Sequence, residues 1–104
     1  LFEAMKNDGL KPKSIKVDGG MVLNNWFSQF LSDTINAKVL RPKVNETTAL
    51  GAAFMAGLQI GVYKSLKDIA KNWQADKSFI PKIKNAERKI LINGWNKAIK
   101  KTLA

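Results

Sequence analysis

Apolar residues at Val22, Leu23, Trp26, Phe27, Phe30, Leu31 and Ile35 recur at steps of three and four, which predicts one strongly amphipathic helix. It lies between two short β-branched runs. Ser14-Ile15-Lys16-Val17 reads as a strand ending at Asp18-Gly19-Gly20, and Lys38-Val39-Leu40-Arg41 reads as a second strand closed by Pro42, which cannot donate to a sheet ladder. Strand, helix and strand make a βαβ unit, so the two strands should run parallel with a right-handed crossover. Before this unit, Leu1-Phe2-Glu3-Ala4-Met5-Lys6 has the pattern of a helix already under way, stopping at Asp8-Gly9. That opening suggests a piece of a larger chain.

From Glu46 the pattern is helical again through Leu58, with Asn45 or Thr47 as N-cap and Gly61 near the end. Gly51 and Gly57 inside this run each cost about 1 kcal/mol relative to alanine, so a closely packed neighbour is expected. Ser65 can cap a shorter helix through Asp68, with Leu66, Ile69, Ala70 and Trp73 as its buried stripe. After a polar stretch, Phe79-Ile80-Pro81 is extended. A last helix spans about Lys84 to Thr102 with Ile90, Leu91, Trp95, Ala98, Ile99 and Leu103 as core contacts, and Asn93-Gly94 is a turn-like interruption in it. Phe27, Phe30, Met55 and the tryptophans read as core. There is no internal repeat or linker. The expected fold class is α/β, in the order β-α-β-α-α-α after the opening helix.

Composition narrows the chemistry. The 104 residues contain neither cysteine nor histidine, which removes disulfides, thiol nucleophiles, the usual zinc ligands and triad chemistry in its usual forms. No apolar run approaches the roughly 20 residues of a membrane span, so a soluble chain is expected. Eighteen Lys and Arg oppose eight Asp and Glu, for a net charge of +10. The excess lies in the second half, where Lys82, Lys84, Arg88, Lys89, Lys97, Lys100 and Lys101 flank the last helix. Lysines on a solvent face keep an amphipathic helix soluble, and arginine is the better reader of phosphates and base edges. No nucleic-acid partner is expected.

Candidate chemistry gathers only at Asp18-Gly19-Gly20 with Asn24 and Asn25. A strand running through a glycine pair into a helix places unpaired N–H groups and the positive end of the helix dipole at the carboxyl edge of a sheet, where nucleotides bind. Lacking a Cβ, Gly19 and Gly20 let a ligand approach the backbone, and Asn24 can offer both a donor and an acceptor. The alternative is a tight turn in which Asp18 or Asn24 only satisfies backbone groups. There is no complete G-x-G-x-x-G and no Walker lysine.

An ordered series covers nearly the whole chain. Ile15-Lys16-Val17-Asp18-Gly19-Gly20, Asn24-Asn25, Gln29-Phe30, Ser32-Asp33, Arg41-Pro42, Glu46, Thr48-Ala49-Leu50-Gly51-Ala52-Ala53 and Ala56-Gly57, followed by Phe79, Pro81, Arg88, Gly94-Trp95 and Ala98, resembles the C-terminal region of the FGGY carbohydrate kinase family. The paired asparagines and Arg41-Pro42 look more like its glycerol-specific branch than its xylulose or gluconate kinases. Ile90, Leu91 and Ile92 depart from a family tail that is more polar or aromatic.

The resemblance implies a kinase of two actin-like, ribonuclease H-like domains, with ATP and Mg²⁺ in the cleft between them. Residues 1–104 would form the C-terminal portion of the second, nucleotide-side domain. Gly20 matches the glycine whose backbone lies against the adenosine portion, Asn24 the asparagine that hydrogen-bonds the same ligand, and Gly19 the supporting turn residue. Asp18 is expected to be structural. Catalytic residues, glycerol-binding residues and metal ligands would lie outside this region, so the 104 residues alone should not turn over ATP to ADP. A cytoplasmic, homo-oligomeric parent enzyme is implied. From another class, a small basic module using the last helix on acidic partners is the alternative.

Overall fold

Left-handed backbone conformations end two of the helices and turn the chain toward the next strand. In the computed structural model, which describes residues 1–104, α1 (Phe2–Asn7) gives way at Gly9, with φ +90°, to the loop leading into β1 (Ser14–Lys16). α2 (Asn25–Ile35) is closed by Asn36 at φ 55°, and Ala37 leads the chain directly into β2 (Lys38–Pro42). Then come α3 (Thr47–Gln59), α4 (Leu66–Ala70), β3 (Ala75–Phe79) and α5 (Asn85–Leu103).

The sheet has the order β1-β2-β3. β1 pairs with β2 in parallel, Ser14 opposite Lys38 and Lys16 opposite Leu40, as the βαβ reading expects. β3 pairs with β2 antiparallel, Val39 opposite Phe79, with a register shift at Arg41/Pro42 where proline has no N–H for the ladder. The sequence reading has no strand at 75–79. Ala-Asp-Lys-Ser-Phe shows no apolar alternation because β3 is an edge strand exposed along four of its five residues, and backbone pairing with β2 defines it. The order is therefore α-β-α-β-α-α-β-α rather than β-α-β-α-α-α after the opening helix.

Three further expectations change. The long amphipathic helix is two pieces, a 3-10 turn at Gly20–Leu23 and then α2, divided at the extended residue Asn24. Glu46, not Asn45 or Thr47, stands at the N-cap of α3 without a side-chain bond, because the Thr47 hydroxyl donates to the Asp18 carboxylate instead. α5 runs unbroken through Asn93-Gly94. Its stripe of Leu91, Ile92, Trp95, Ala98 and Ile99 has helical spacing on both sides of the glycine, which outweighs one residue's intrinsic cost. Ser65 caps α4 as expected, accepting from Asp68 N at 3.2 Å.

The buried apolar residues are Val22, Ala37, Val39 and Phe79, packed where α2 crosses the sheet. On α2 itself the buried positions are Ser28, Ser32 and Asp33, whereas Trp26 is 70% exposed and stacks on Phe30 with centroids 5.1 Å apart. Small serines let the helix sit close to the strands, and their hydroxyls bond carbonyls there: Ser28 to Val22 O at 2.8 Å, and Ser32 to both Ala37 O and Phe79 O. Of the apolar stripe only Val22 is buried, while Phe27, Leu31 and Ile35 are half-buried. Trp26, Phe30, Met55, Ile90, Leu91, Trp95, Ile99 and Leu103 are all exposed, contrary to their reading as core, while Phe27 and Trp73 are half-buried. α3 stands off from the sheet, and the molecule measures 53 × 28 × 25 Å with a radius of gyration of 17.3 Å. A compact chain of this length would have about 13 Å.

Candidate functional site

The turn between β1 and α2 is built so that its backbone stays open. Gly19 has φ +90° and ψ 172°, a conformation that a side chain would strain, and it redirects the chain from Asp18 into the 3-10 turn. Gly20 follows with ordinary φ. A Cβ built on either glycine would meet nothing within 4 Å, so no neighbour in this chain explains Gly20. No side chain caps the 3-10 turn at its start.

Asn24 ends this turn and begins α2. Its Oδ1 accepts from Phe27 N at 3.1 Å, an N-cap bond that satisfies one of the orphan donors at the head of the helix. The side chain is exposed and its Nδ2 has no hydrogen-bond partner in the chain. Of the donor and acceptor the sequence offered, the acceptor is already engaged and the donor is available. Asp18 accepts from the Thr47 hydroxyl, tying the end of β1 to the head of α3 and acting as a structural residue. The structure therefore brings Gly19, Gly20 and Asn24 onto one exposed turn. None of the three lines a cavity; Asp18 lines one of about 250 Å³ with Lys16, Pro42, Thr47 and Trp73. They form an open wall rather than a pocket.

Below the wall lies an arginine that sequence reasoning noted only as part of a motif. Arg41, on β2 and 8% exposed, donates from Nη1 to Val22 O (3.0 Å), Leu23 O (3.1 Å) and Asn25 Oδ1 (3.0 Å). Its Nε and Nη2 reach Asp76 Oδ2 on β3 at 2.9 and 2.7 Å. Arg88 is also buried, contrary to its place in a basic surface. It donates to the carbonyls of Asp33 and Ile83 and to Asn85 Oδ1, joining the end of α2 to the start of α5. Besides their places in the ordered series, the signal for either residue was an arginine amid many lysines, the planar fork being suited to several acceptors at once.

No group of three or more Asp, Glu, His or Cys side chains comes together that could hold a metal ion. No helix is long and apolar enough to cross a membrane.

Comparison with known proteins gives the family of the chain. Residues 1–60 match the FGGY family of carbohydrate kinases, C-terminal domain. The chain is 50% identical over 104 residues to a glycerol kinase of Gluconobacter oxydans (strain 621H), covering 99% of this chain and 20% of that protein. It is 48% identical over 99 residues to a glycerol kinase of Alteromonas mediterranea, again covering 20% of the relative. The chain thus spans about a fifth of the length of the curated relatives it matches. Among solved structures it is similar to Plasmodium falciparum glycerol kinase with ADP, at TM-score 0.79 and 36% identity over 97% of this chain and 20% of that one. A ligand-bound xylulose kinase from Lactobacillus acidophilus gives TM-score 0.80 at 25% identity over 91% of this chain and 20% of that one. The family match over more than half of the residues, with these relatives beside it, shows that the chain belongs to the FGGY family of carbohydrate kinases and carries sequence of that family's C-terminal domain.

Proposed function

We propose that this chain is part of an ATP-dependent glycerol kinase, which transfers a phosphoryl group from ATP to glycerol to give glycerol 3-phosphate and ADP, and that it supplies the adenosine-side wall of the nucleotide site. The supporting observation is the 50% identity to a glycerol kinase sustained over the whole chain. The solved glycerol kinase with ADP has the same backbone course over 97% of the chain. On this reading the chain is the C-terminal portion of the nucleotide-side domain of an actin-like, ribonuclease H-like kinase.

The roles of the wall residues come from their local chemistry. Gly19 makes the turn and Gly20 presents backbone that a flat ring system can approach without meeting a Cβ. Asn24, held by its cap bond to Phe27 N, directs its spare Nδ2 donor at an acceptor of the nucleoside. These groups bind and orient. Phosphoryl transfer also needs a base for the substrate hydroxyl, a metal on the phosphates and donors around the β and γ groups. No group of three or more carboxylates gathers here, and no step is assigned to this chain's residues. On this reading the reacting groups belong to other parts of the enzyme, and the 104 residues by themselves are expected to be inactive.

The test is ATP-dependent phosphorylation by the full-length protein across glycerol, xylulose and gluconate. Turnover of glycerol above the other two supports the proposal. Preference for xylulose or gluconate would keep the family and replace the substrate, and activity on none of them would overturn the reading.

A further inference from the structure

We infer that Arg41 is a positioning residue for the nucleotide wall, holding Asn24 in place through a clamp that is centred on its buried guanidinium and runs from β3 through β2 to the head of α2. The inference rests on the wall reading above and goes beyond it, because Arg41 touches none of the wall residues' exposed atoms.

Asn24 is flanked on both sides by groups that Arg41 holds. The carbonyls of Val22 and Leu23 precede it, the Asn25 side chain comes after it, and one guanidinium nitrogen serves all three at 3.0 to 3.1 Å. The other two nitrogens are fixed by Asp76. Ser28 adds a second bond to Val22 O from inside α2. A lysine could not replace this fork, because its ammonium is a compact charge without the planar spread that reaches a carboxylate on one edge and three acceptors on the other. The clamp also gives separate work to the paired asparagines: Asn24 caps the helix and presents a donor, while Asn25 accepts from Arg41. It accounts for the Arg41-Pro42 pair as well, since the register shift at this point of β2 falls at the residue that crosses under the turn.

A positioning role predicts a selective defect. In the full-length kinase, Arg41→Met should raise the KM for ATP about tenfold, roughly the cost of misaligning one hydrogen bond, and leave the KM for glycerol within about twofold. Arg41→Lys should recover little. Asn25→Ala removes one acceptor without opening the core and should raise the KM for ATP about threefold by the same reasoning. The thermal stabilisation that ADP gives the protein should fall in parallel. If Arg41→Met does not fold, Asn25→Ala decides the matter on its own.

Asn24→Ser, measured alongside, separates the two levels of inference. If it raises the KM for ATP while Asn25→Ala and any folded Arg41 variant leave ATP and ADP behaviour unchanged, the clamp is overturned and the wall stands. A loss that is equal for ATP and glycerol also overturns it, as general destabilisation. An unchanged KM for ATP in Asn24→Ser would overturn the wall itself.

Discussion

α2 and α3 are both rich in apolar residues, yet they sit in opposite surroundings. α2 is held to the sheet by polar side chains: Ser28 and Ser32 bond carbonyls beneath it, Gln29 reaches Ile80 O at 2.8 Å, and Asp33 Oδ1 accepts from Lys82 N at 2.6 Å. α3 has one such tie, from Thr47 to Asp18 at its first residue, and beyond it Met55 is exposed while Phe54 packs only on Tyr63 of the following loop. The seat of α2 is thus fixed by polar ties, the two buried serine bonds being the costliest to leave unmade, more than by the larger apolar side chains. The apolar surfaces are spare.

Four substitutions would sharpen or break this contrast. The largest effect is expected at Arg88, whose buried guanidinium joins α2 to α5. Arg88→Ala should cost about 2–4 kcal/mol, since two backbone carbonyls and the Asn85 side chain lose a charged donor at once; a denaturant midpoint measures it, and a change below about 1 kcal/mol would be too small for the buried link described. Ser32→Ala comes next, at about 1–2 kcal/mol, because the Ala37 and Phe79 carbonyls lose a shared donor. An apolar residue gained at a buried position would instead be stabilising if burial of apolar area governed α2.

The smallest effect distinguishes the two glycines of α3. A Cβ at Gly51 meets open space, whereas one at Gly57 would lie 2.8 Å from the Tyr63 ring, which packs edge-on against Phe54. Gly51→Ala should therefore stabilise the 104-residue chain by about 0.5–1 kcal/mol, and Gly57→Ala should destabilise it. Comparison of Gly51→Ala in the full-length protein then tests whether something packs on α3. A reversal of sign there would show a neighbour at Gly51, as the sequence expected, and an unchanged sign would show that face to be open in the longer protein too.

Much of the local structure was legible because its causes are local. Gly9 and Gly61 end helices where their φ values of +90° and +84° require glycine, Ser65 caps α4, and the β-branched runs pair in parallel. That Gly19, Gly20 and Asn24 share one turn was legible for the same reason, as a strand, two glycines and an asparagine close together in the chain. The features that the pattern concealed depend on distant partners. β3 exists because β2 offers it a ladder, and the burial of Arg41 and Arg88 results from carbonyls brought near by the fold. The apolar stripe of α2 misled for a related reason: periodicity identifies a face, not what lies opposite it.

The most direct test of the nucleotide wall is Asn24→Ser in the full-length kinase. Serine is as good an N-cap as asparagine, so the bond to Phe27 N is kept and the Nδ2 donor is removed. Unfolding should change by less than about 0.5 kcal/mol. Steady-state kinetics should show a KM for ATP raised about tenfold with the KM for glycerol unchanged, the signature of one lost nucleotide contact. An unchanged KM for ATP in a fully active variant would mean that Asn24 only caps its helix, and the wall assignment would fall.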